Sequence, residues 1–147
     1  MASEAKKFLL AQKIGLLSSH SLSYPGYPFG SLLPYDVNQN AEIFIYISLI
    51  AEHYKNLGLN SKASLTVIDS VNSDDPQANA RLTLLLDFKP VSAAEKQVVK
   101  LNYETKFPNS VPPEIADNFV FFKGTIHKAR WIGGFGKMCW LAPEKFN

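Results

Sequence analysis

Short segments rich in β-branched and aromatic residues, separated by turn-forming residues, limit the folds that this chain can adopt. The clearest of them is EIFIYIS at residues 42–48. Comparable segments are found at residues 14–20, 30–37, 63–69, 81–91, 119–131 and 137–141. Helical signals are confined to residues 4–13, residues 49–57 and a segment that ends near residue 106. Six or seven strands with so few helices predict a mainly β, α+β domain, in which an antiparallel barrel carries flanking helices.

Capping residues set the predicted helix boundaries. Ser3 is the expected N-cap of the first helix, and Gly58 is the expected C′ residue of the second. Ser92 and Glu95 have the spacing of a capping box, which opens the third helix. In the second strand, Pro34 indicates a sheet edge or a bulge, because proline cannot donate to a strand ladder.

Two further segments carry expectations about burial and order. Residues 81–91 are almost entirely apolar up to Leu86, so we expect that strand to be buried on both faces. Residues 70–80 are polar and contain Asp74-Asp75-Pro76, which is typical of a loop. Gly124 is the expected bend in the long strand near the C-terminus.

The composition excludes several classes of protein. The net charge of +2 provides no basic stripe, so we expect no nucleic-acid partner. Cys139 is the only cysteine, which excludes a disulfide within the chain and a thiolate zinc site, as suits a reducing cytoplasm. No apolar run approaches the roughly 20 residues of a membrane helix, and no secretory signal is present, so we expect a cytoplasmic protein without a membrane partner. The 147 residues suffice for a single domain that spans residues 1–147.

Common catalytic and metal-binding patterns are missing from the sequence. His20, His53 and His127 lack metal-ligand spacing, and no neighbouring pair of carboxylates completes a ligand set, so we predict no metal site. The chain has neither a Ser-His-Asp arrangement nor a G-x-S-x-G motif, which argues against a hydrolase. No residue is identified as a general acid or base.

Polar residues cluster where the 42–48 strand passes into the second helix. Ser48, His53, Lys55 and Asn56 lie near the start of that helix, where free N–H groups and the positive end of the helix dipole favour an anion. Each residue also has a structural interpretation. Ser48 is suited to be an N-cap, His53 a surface or interface residue, Lys55 a solvated lysine, and Asn56 a residue that fastens a short helix.

The order of several motifs resembles that of a known family. The matching segments are Gly15-Leu16-Leu17-Ser18, Tyr27-Pro28-Phe29-Gly30-Ser31, Ser48 with His53 and Asn56-Leu57, Ala63-Ser64-Leu65-Thr66, Ala80-Arg81-Leu82-Thr83-Leu84 and Arg130-Trp131-Ile132-Gly133-Gly134-Phe135-Gly136. Together they resemble the FMN-binding split-barrel superfamily, also described as pyridoxamine 5′-phosphate oxidase-like. Within it, the pattern is most similar to the group of heme-utilisation proteins and cellular-repressor glycoproteins. Two residues depart from the family pattern: Glu52 stands where the oxidases carry a basic residue, and Leu86 where the closest group usually has glycine.

The resemblance implies a split barrel and a homodimer with FMN at the subunit interface. It also implies that the flavin phosphate is held near the start of the second helix. The implied cofactor-binding residues are Pro28, Phe29, Gly30, Ser31, Ser48, His53, Lys55, Asn56, Arg81, Trp131 and Phe135. Arg81 is equally suited to pairing with Asp69 or Asp87. Trp131 and Phe135 are equally suited to core packing, and the Tyr27–Ser31 segment to being a turn that holds no ligand.

The function expected from this resemblance is that of an FMN-binding flavoprotein, an FMN-dependent oxidoreductase acting on an unspecified small molecule. Two alternatives remain. One is a heme-binding or heme-utilisation protein, in which His20 or His127 serves the iron. The other is a non-enzymatic dimeric scaffold that has lost its cofactor. We expect FMN to bind more tightly than hemin, because no histidine follows His127 in the sequence.

Overall fold

Eight strands and three helices make up the fold in the computed structural model, which describes residues 1–69 and 74–147. The strands are β1 (Ile14–His20), β2 (Pro28–Pro34), β3 (Asp36–Val37), β4 (Ile43–Ser48), β5 (Lys62–Ile68), β6 (Arg81–Pro90), β7 (Phe119–Gly134) and β8 (Lys137–Leu141). The helices are α1 (Ala2–Ala11), α2 (Glu52–Leu59) and α3 (Lys96–Lys106). Short 3-10 turns occupy Pro76–Ala78, Ala116–Asn118 and Pro143–Phe146. Four residues of the loop predicted at residues 70–80 lie outside the described residues.

The strands form one antiparallel sheet in the order β2-β1-β5-β6-β7-β4-β3, with β8 paired to β7. β7 is 16 residues long and pairs with β4 in its first part, with β6 in the middle and with β8 at its end. This change of partner curls the sheet, which confirms the predicted antiparallel α+β fold. β2 ends at Pro34, so the segment expected as one strand is divided into β2 and β3.

One face of the curled sheet supplies the main core. Leu17, Leu65 and Leu84 are fully buried on β1, β5 and β6. α1 adds Ala5 and Leu9 to the same cluster. Gly124 lets β7 approach the core closely, because a Cβ there would lie 2.8 Å from Cε1 of Phe88.

The expectation that the strand at residues 81–91, now β6, is buried on both faces is wrong. Leu82, Leu84 and Leu86 point into the core, whereas Thr83 and Leu85 lie on the opposite face, where Leu85 is 36% exposed. Successive residues of a strand point to opposite faces. The helix α1 packs against β6 from the core side, through Ala5 and Leu9. The apolar residues of β6 therefore alternate between the core on one face and an exposed apolar surface on the other.

The helix caps agree with the sequence in part at one of three places. The backbone N–H of Glu95 donates to Ser92 Oγ at 3.3 Å, which is one bond of the predicted capping box. Glu95 Oε1 accepts from the Ser92 hydroxyl at 3.0 Å, and α3 begins at Lys96 with Glu95 as its N-cap, so Ser92 lies one turn before the helix. Ser3 lies inside α1 and does not cap it. Gly58 lies inside α2, whose C-cap Asn60 has an extended backbone (φ −143°), so no left-handed glycine is required there.

Candidate functional site

A cleft of about 460 Å³ opens on the outer face of the sheet, over one end of β1, β5, β6 and β7. Register brings its residues together: Ser18 pairs with Ser64 across β1 and β5, and Lys62 pairs with Asp87 across β5 and β6. The cleft is lined by Ser18, Ser19, His20, Pro28, Lys62, Ala63, Ser64, Leu85, Leu86, Asp87 and His127. We name it the histidine cleft, because two of the three histidines in the chain line it.

A β-bulge places His127 on this face. Leu85 pairs with Lys128 and Leu86 pairs with Ile126, so His127 is an extra residue in β7. Ile126 and Ala129 are buried, which leaves His127 and Lys128, the two residues between them, on the outer face. Bulges commonly redirect side chains beside functional sites. Here the bulge adds a second imidazole to the cleft that His20 enters from β1.

The charges in the cleft are accessible to solvent. Lys62 Nζ lies 3.1 Å from Asp87 Oδ1, and the two side chains are 73% and 45% exposed. An exposed ion pair of this kind contributes little to stability and can be exchanged for another anion. Leu85 adds an apolar surface and Ser64 a hydroxyl. The cleft thus combines two imidazoles, an ammonium group and an aliphatic wall.

The structure places Asn56 in the interior of the protein, behind Ser19, which lines the histidine cleft. It is fully buried; its Nδ2 donates to Ser19 Oγ at 3.1 Å, and its Oδ1 accepts from the backbone N–H of Leu22 at 2.9 Å. The amide fastens α2 to the end of β1 and to the loop that follows. These bonds match the structural interpretation given to Asn56, and its role in cofactor binding stays a prediction.

The other residues of the predicted anion corner lie on or before α2. Lys55 Nζ is 3.8 Å from Glu52 Oε1, and Glu52 Oε2 also accepts from Ser23 Oγ at 3.0 Å. Ser48 Oγ accepts from the backbone N–H of Ile50 at 3.3 Å. Burial lowers the pKa of His53, which favours the neutral imidazole. Glu52 thus places a carboxylate in the first turn of α2 beside Lys55, and the role of Ser48, His53 and Lys55 in holding a phosphate stays a prediction.

The predicted segment of β2 lies at the sheet edge. Gly30 pairs with Ser18 and Phe29 with Ser19, and among the described residues β2 forms a ladder with β1 alone. Pro28 lines the histidine cleft. Ser31 is half-buried farther along the strand.

Three predicted residues lie at the opposite end of the sheet. Arg81 starts β6, and its Nη1 donates to the carbonyls of Gln77 at 3.2 Å and Asn79 at 3.5 Å. Six residues of strand separate it from Asp87, a distance of about 20 Å.

Trp131 is 3% exposed and packs edge-on against Phe8, with ring centroids 5.2 Å apart, as core packing requires.

Phe135 is 70% exposed in the turn between β7 and β8, near the same end as Arg81. A single chain therefore divides the predicted residues between two ends of the sheet. Lys62, Asp87, Ser64 and Leu85 were not predicted as site residues, because nothing in their local sequence marks them. The only available signal was alternation along β5 and β6, which assigns them to one face without showing what faces them.

The described residues, 1–69 and 74–147, contain no group of three or more His, Cys, Asp or Glu side chains arranged to hold a metal ion. Within the same ranges, no helix is long and apolar enough to span a membrane.

Comparisons with known proteins agree with the fold. The model of the family described as "CREG, beta-barrel" matches residues 1–147. A non-canonical heme oxygenase, HOZ, from the chloroplast of Arabidopsis thaliana is 28% identical over 131 residues, covering 89% of this chain and 40% of the plant protein. The structure of a heme-binding protein from Mycobacterium smegmatis superposes with a TM-score of 0.82 at 23% identity, covering 99% of this chain and 59% of that one.

A further solved structure shares the fold as well. It is a Clostridium acetobutylicum protein related to general stress protein 26, of the pyridoxinephosphate oxidase family, with a TM-score of 0.71 at 14% identity and coverage of 99% and 96%. The resemblance to split-barrel proteins is thereby confirmed. The chain spans well under two thirds of the length of the plant relative and of the mycobacterial protein.

Proposed function

The chain belongs to the CREG β-barrel family, and from the geometry of its outer face we infer that it binds a heme-type tetrapyrrole in the histidine cleft. The observation that carries this proposal is the convergence of His20 and His127 in one cleft with Lys62. Imidazole nitrogens are common axial ligands of heme iron. The two histidines come from strands that are distant in sequence, and the second is the extra residue of a bulge in β7.

The residues of the cleft fit the chemical groups of a heme. Its volume of about 460 Å³ falls within the usual range for small-molecule sites. His20 or His127 would hold the iron, Lys62 would pair with a propionate, and Leu85 would contact the apolar ring. Bound heme would supply one-electron and oxygen chemistry, while the protein would set its position and access to solvent. The names of the plant and mycobacterial relatives, which mention heme, support this ligand class.

A homodimer is part of the proposal. The outer face of the sheet and its β7–β8 end carry an unusual number of exposed large apolar side chains: Ile14, Leu16, Leu32, Ile68, Leu85, Phe135, Met138 and Trp140. Monomeric proteins rarely expose so many in one region, and a second copy is the partner that such a surface fits. Pairing of this face would also cover part of the cleft and bring residues from the far end of the partner's sheet towards it.

Light scattering tests the dimer. We expect twice the chain mass for the native protein and a monomer for Ile68→Asp, whose residue is 61% exposed on this face. Val98→Asp is a matched control, because Val98 is 62% exposed on α3 and does not belong to this set of apolar side chains. A native monomer, or equal effects of the two variants, would contradict the proposed interface.

Titration with hemin, followed by absorbance near the Soret band, tests the cofactor. We expect saturable binding with one hemin per cleft, and a changed or lost spectrum in His20→Ala or His127→Ala. His53→Ala is the matched control, because it removes the third histidine of the chain, which lies on α2 and does not line the cleft. The proposal fails if hemin does not bind, or if the His53 variant changes the spectrum as much as the other two.

An FMN-dependent oxidoreductase is the second candidate. Its support is the edge position of β2, where Phe29, Gly30 and Ser31 offer backbone groups on the side that β1 does not use. If His53 and Lys55 hold the flavin phosphate, the variant lacking both should bind FMN about tenfold or more weakly. A parallel FMN titration, read by flavin fluorescence, compares the two cofactors directly, and the expected preference for FMN stays a prediction until it is done.

A scaffold without cofactor is the third possibility, and it is the outcome if neither FMN nor hemin binds to a folded dimer. We also propose a cytoplasmic location, because the single cysteine of the chain cannot form a disulfide within it. Fractionation of cells that express the tagged chain tests that location.

A further inference from the structure

A second cavity, of about 570 Å³, lies between β4, the end of α3 and residues 107–111. It shares no lining residue with the histidine cleft. Four aromatic side chains, Tyr46, Tyr103, Phe107 and Phe119, line it together with Lys13 and Lys106. We name it the aromatic groove. The proposed heme site contains no such wall of aromatic rings beside two ammonium groups.

The aromatic wall is held in place by its own contacts. The Tyr46 ring stacks on Phe121 with centroids 4.0 Å apart and an interplanar angle of 18°. Tyr103 meets Tyr46 edge-on at 5.6 Å, and Phe119 lies 5.3 Å from it. Because these rings fix one another, the groove is preformed, and a ligand would bind without having to order them. A planar aromatic ring is the group best matched to such a wall.

Lys106 gives the groove a fixed positive charge. Its Nζ donates to the carbonyl of Gln12 at 3.2 Å and to that of Tyr35 at 3.0 Å. An ammonium group has three N–H donors, so one remains for a ligand or for water. Burial lowers the pKa of Lys106, and the neighbouring carboxylate of Asp36 opposes that effect. An anion in the groove would stabilise the charged ammonium in the same way as Asp36, and exposed Lys13 at the rim would add a second contact.

The charge at the Tyr46 side has the opposite sign. Burial first, and then the charges of Glu104 and Asp117, raise the pKa of Tyr46. The Tyr46 hydroxyl donates to the carbonyl of Ala116 across a long 3.4 Å. A ligand would therefore meet lysines at one part of the groove and carboxylates near the tyrosine hydroxyl. A dianion is disfavoured, whereas one acidic group and one hydrogen-bond donor match the two parts.

We propose that the aromatic groove binds a planar aromatic carboxylate whose ring carries a hydroxyl or amino donor on the side away from the carboxylate. The carboxylate pairs with Lys13 and Lys106, the ring stacks on Tyr46, and the donor faces the Tyr46 hydroxyl and the neighbouring acids. The site is separate from the histidine cleft, so this proposal does not depend on heme binding.

Fluorescence titration with hydroxynaphthoate tests the site, with naphthoate and naphthol as the probes that lack the hydroxyl and the carboxylate. We expect saturable binding of hydroxynaphthoate and roughly tenfold weaker binding to Lys13→Gln, as for the loss of one charge-assisted contact. Lys13 is exposed, so this variant spares the bonds by which Lys106 supports the fold. Tyr46→Phe should reduce the preference for hydroxynaphthoate over naphthoate.

Lys62→Gln is the matched control, because it removes an exposed lysine from the histidine cleft. It should leave the affinity for hydroxynaphthoate unchanged. Four outcomes would each overturn the proposal: no saturable binding, equal affinity for naphthol, an effect of Lys62→Gln as large as that of Lys13→Gln, or an affinity that falls as the protein concentration rises. The last outcome would assign the groove to contact between two copies of the chain.

Discussion

Replacement of Asn56 by alanine tests the link between α2 and the strand that carries His20. The wild-type amide is fully buried and bonds both Ser19 Oγ and the backbone N–H of Leu22. In Asn56→Ala both groups lose their partner. The loop after β1 would then be held to α2 by apolar contacts and by the exposed hydrogen bond from Ser23 to Glu52.

The expected loss of stability follows from those two bonds. A buried polar group left without its partner costs about 1–3 kcal/mol. The Ser19 hydroxyl can rotate towards another acceptor, and Leu22 is partly exposed, so the lower half of that range applies to each. We therefore expect a loss of about 3 kcal/mol in the free energy of unfolding. With a urea m value of about 2 kcal/mol/M, the midpoint should fall by about 1.5 M.

Urea unfolding, followed by tryptophan fluorescence, measures the shift. Asn102→Ala is the control, because Asn102 is exposed on α3 and its replacement should not lower the midpoint. The double variant with Ser19→Ala should lose less than the sum of the single variants, because the two side chains share a bond. A midpoint for Asn56→Ala within about 0.3 M of the wild type, given the m value above, would refute the reasoning.

Three further predictions concern packing and titration. Gly124→Ala should destabilise the protein by about 1–3 kcal/mol, because the new Cβ would lie 2.8 Å from the ring of Phe88, and Phe88→Leu should recover part of that loss in thermal unfolding. Measured by NMR, the pKa of His53 should lie below its ordinary 6.5, because the side chain is partly buried. The folded state then binds a proton less readily than the unfolded state, so the free energy of unfolding should fall as the pH drops below 6.5. His53→Gln should remove that part of the fall. The hydrogen bond from Lys123 lowers the pKa of Glu95 below its ordinary 4.5. The stabilisation that this bond gives the folded state is therefore present above pH 4.5 and is lost as the pH falls through the pKa of Glu95 in the folded state. Glu95→Gln should be less stable than the wild type at neutral pH and equal to it in acid.

Local structure was largely predictable from the sequence. The strands at residues 14–20 and 137–141 have the bounds that their composition predicted, and the backbone N–H of Glu95 before α3 bonds Ser92 Oγ as the capping-box spacing predicted. Strand propensity and capping depend on neighbours within a few residues, so the sequence contains the information they require. The order of such elements was also enough for the resemblance to the split-barrel proteins, which the family match confirms.

The faces of the strands and the composition of the cleft were decided only by the tertiary structure. Lys62 and Asp87 meet because β5 and β6 pair in one register, and a shift by one residue would move each to the opposite face. His127 reaches the cleft through a bulge, whose position depends on how β6 and β7 fit over their whole length. Asn56 looked equally suited to an anion and to a structural bond; only the tertiary structure shows that its amide bonds Ser19, and its role in cofactor binding stays a prediction. Register and burial are set by the packing of strands that are distant in the chain, so the local sequence around these residues could not reveal them.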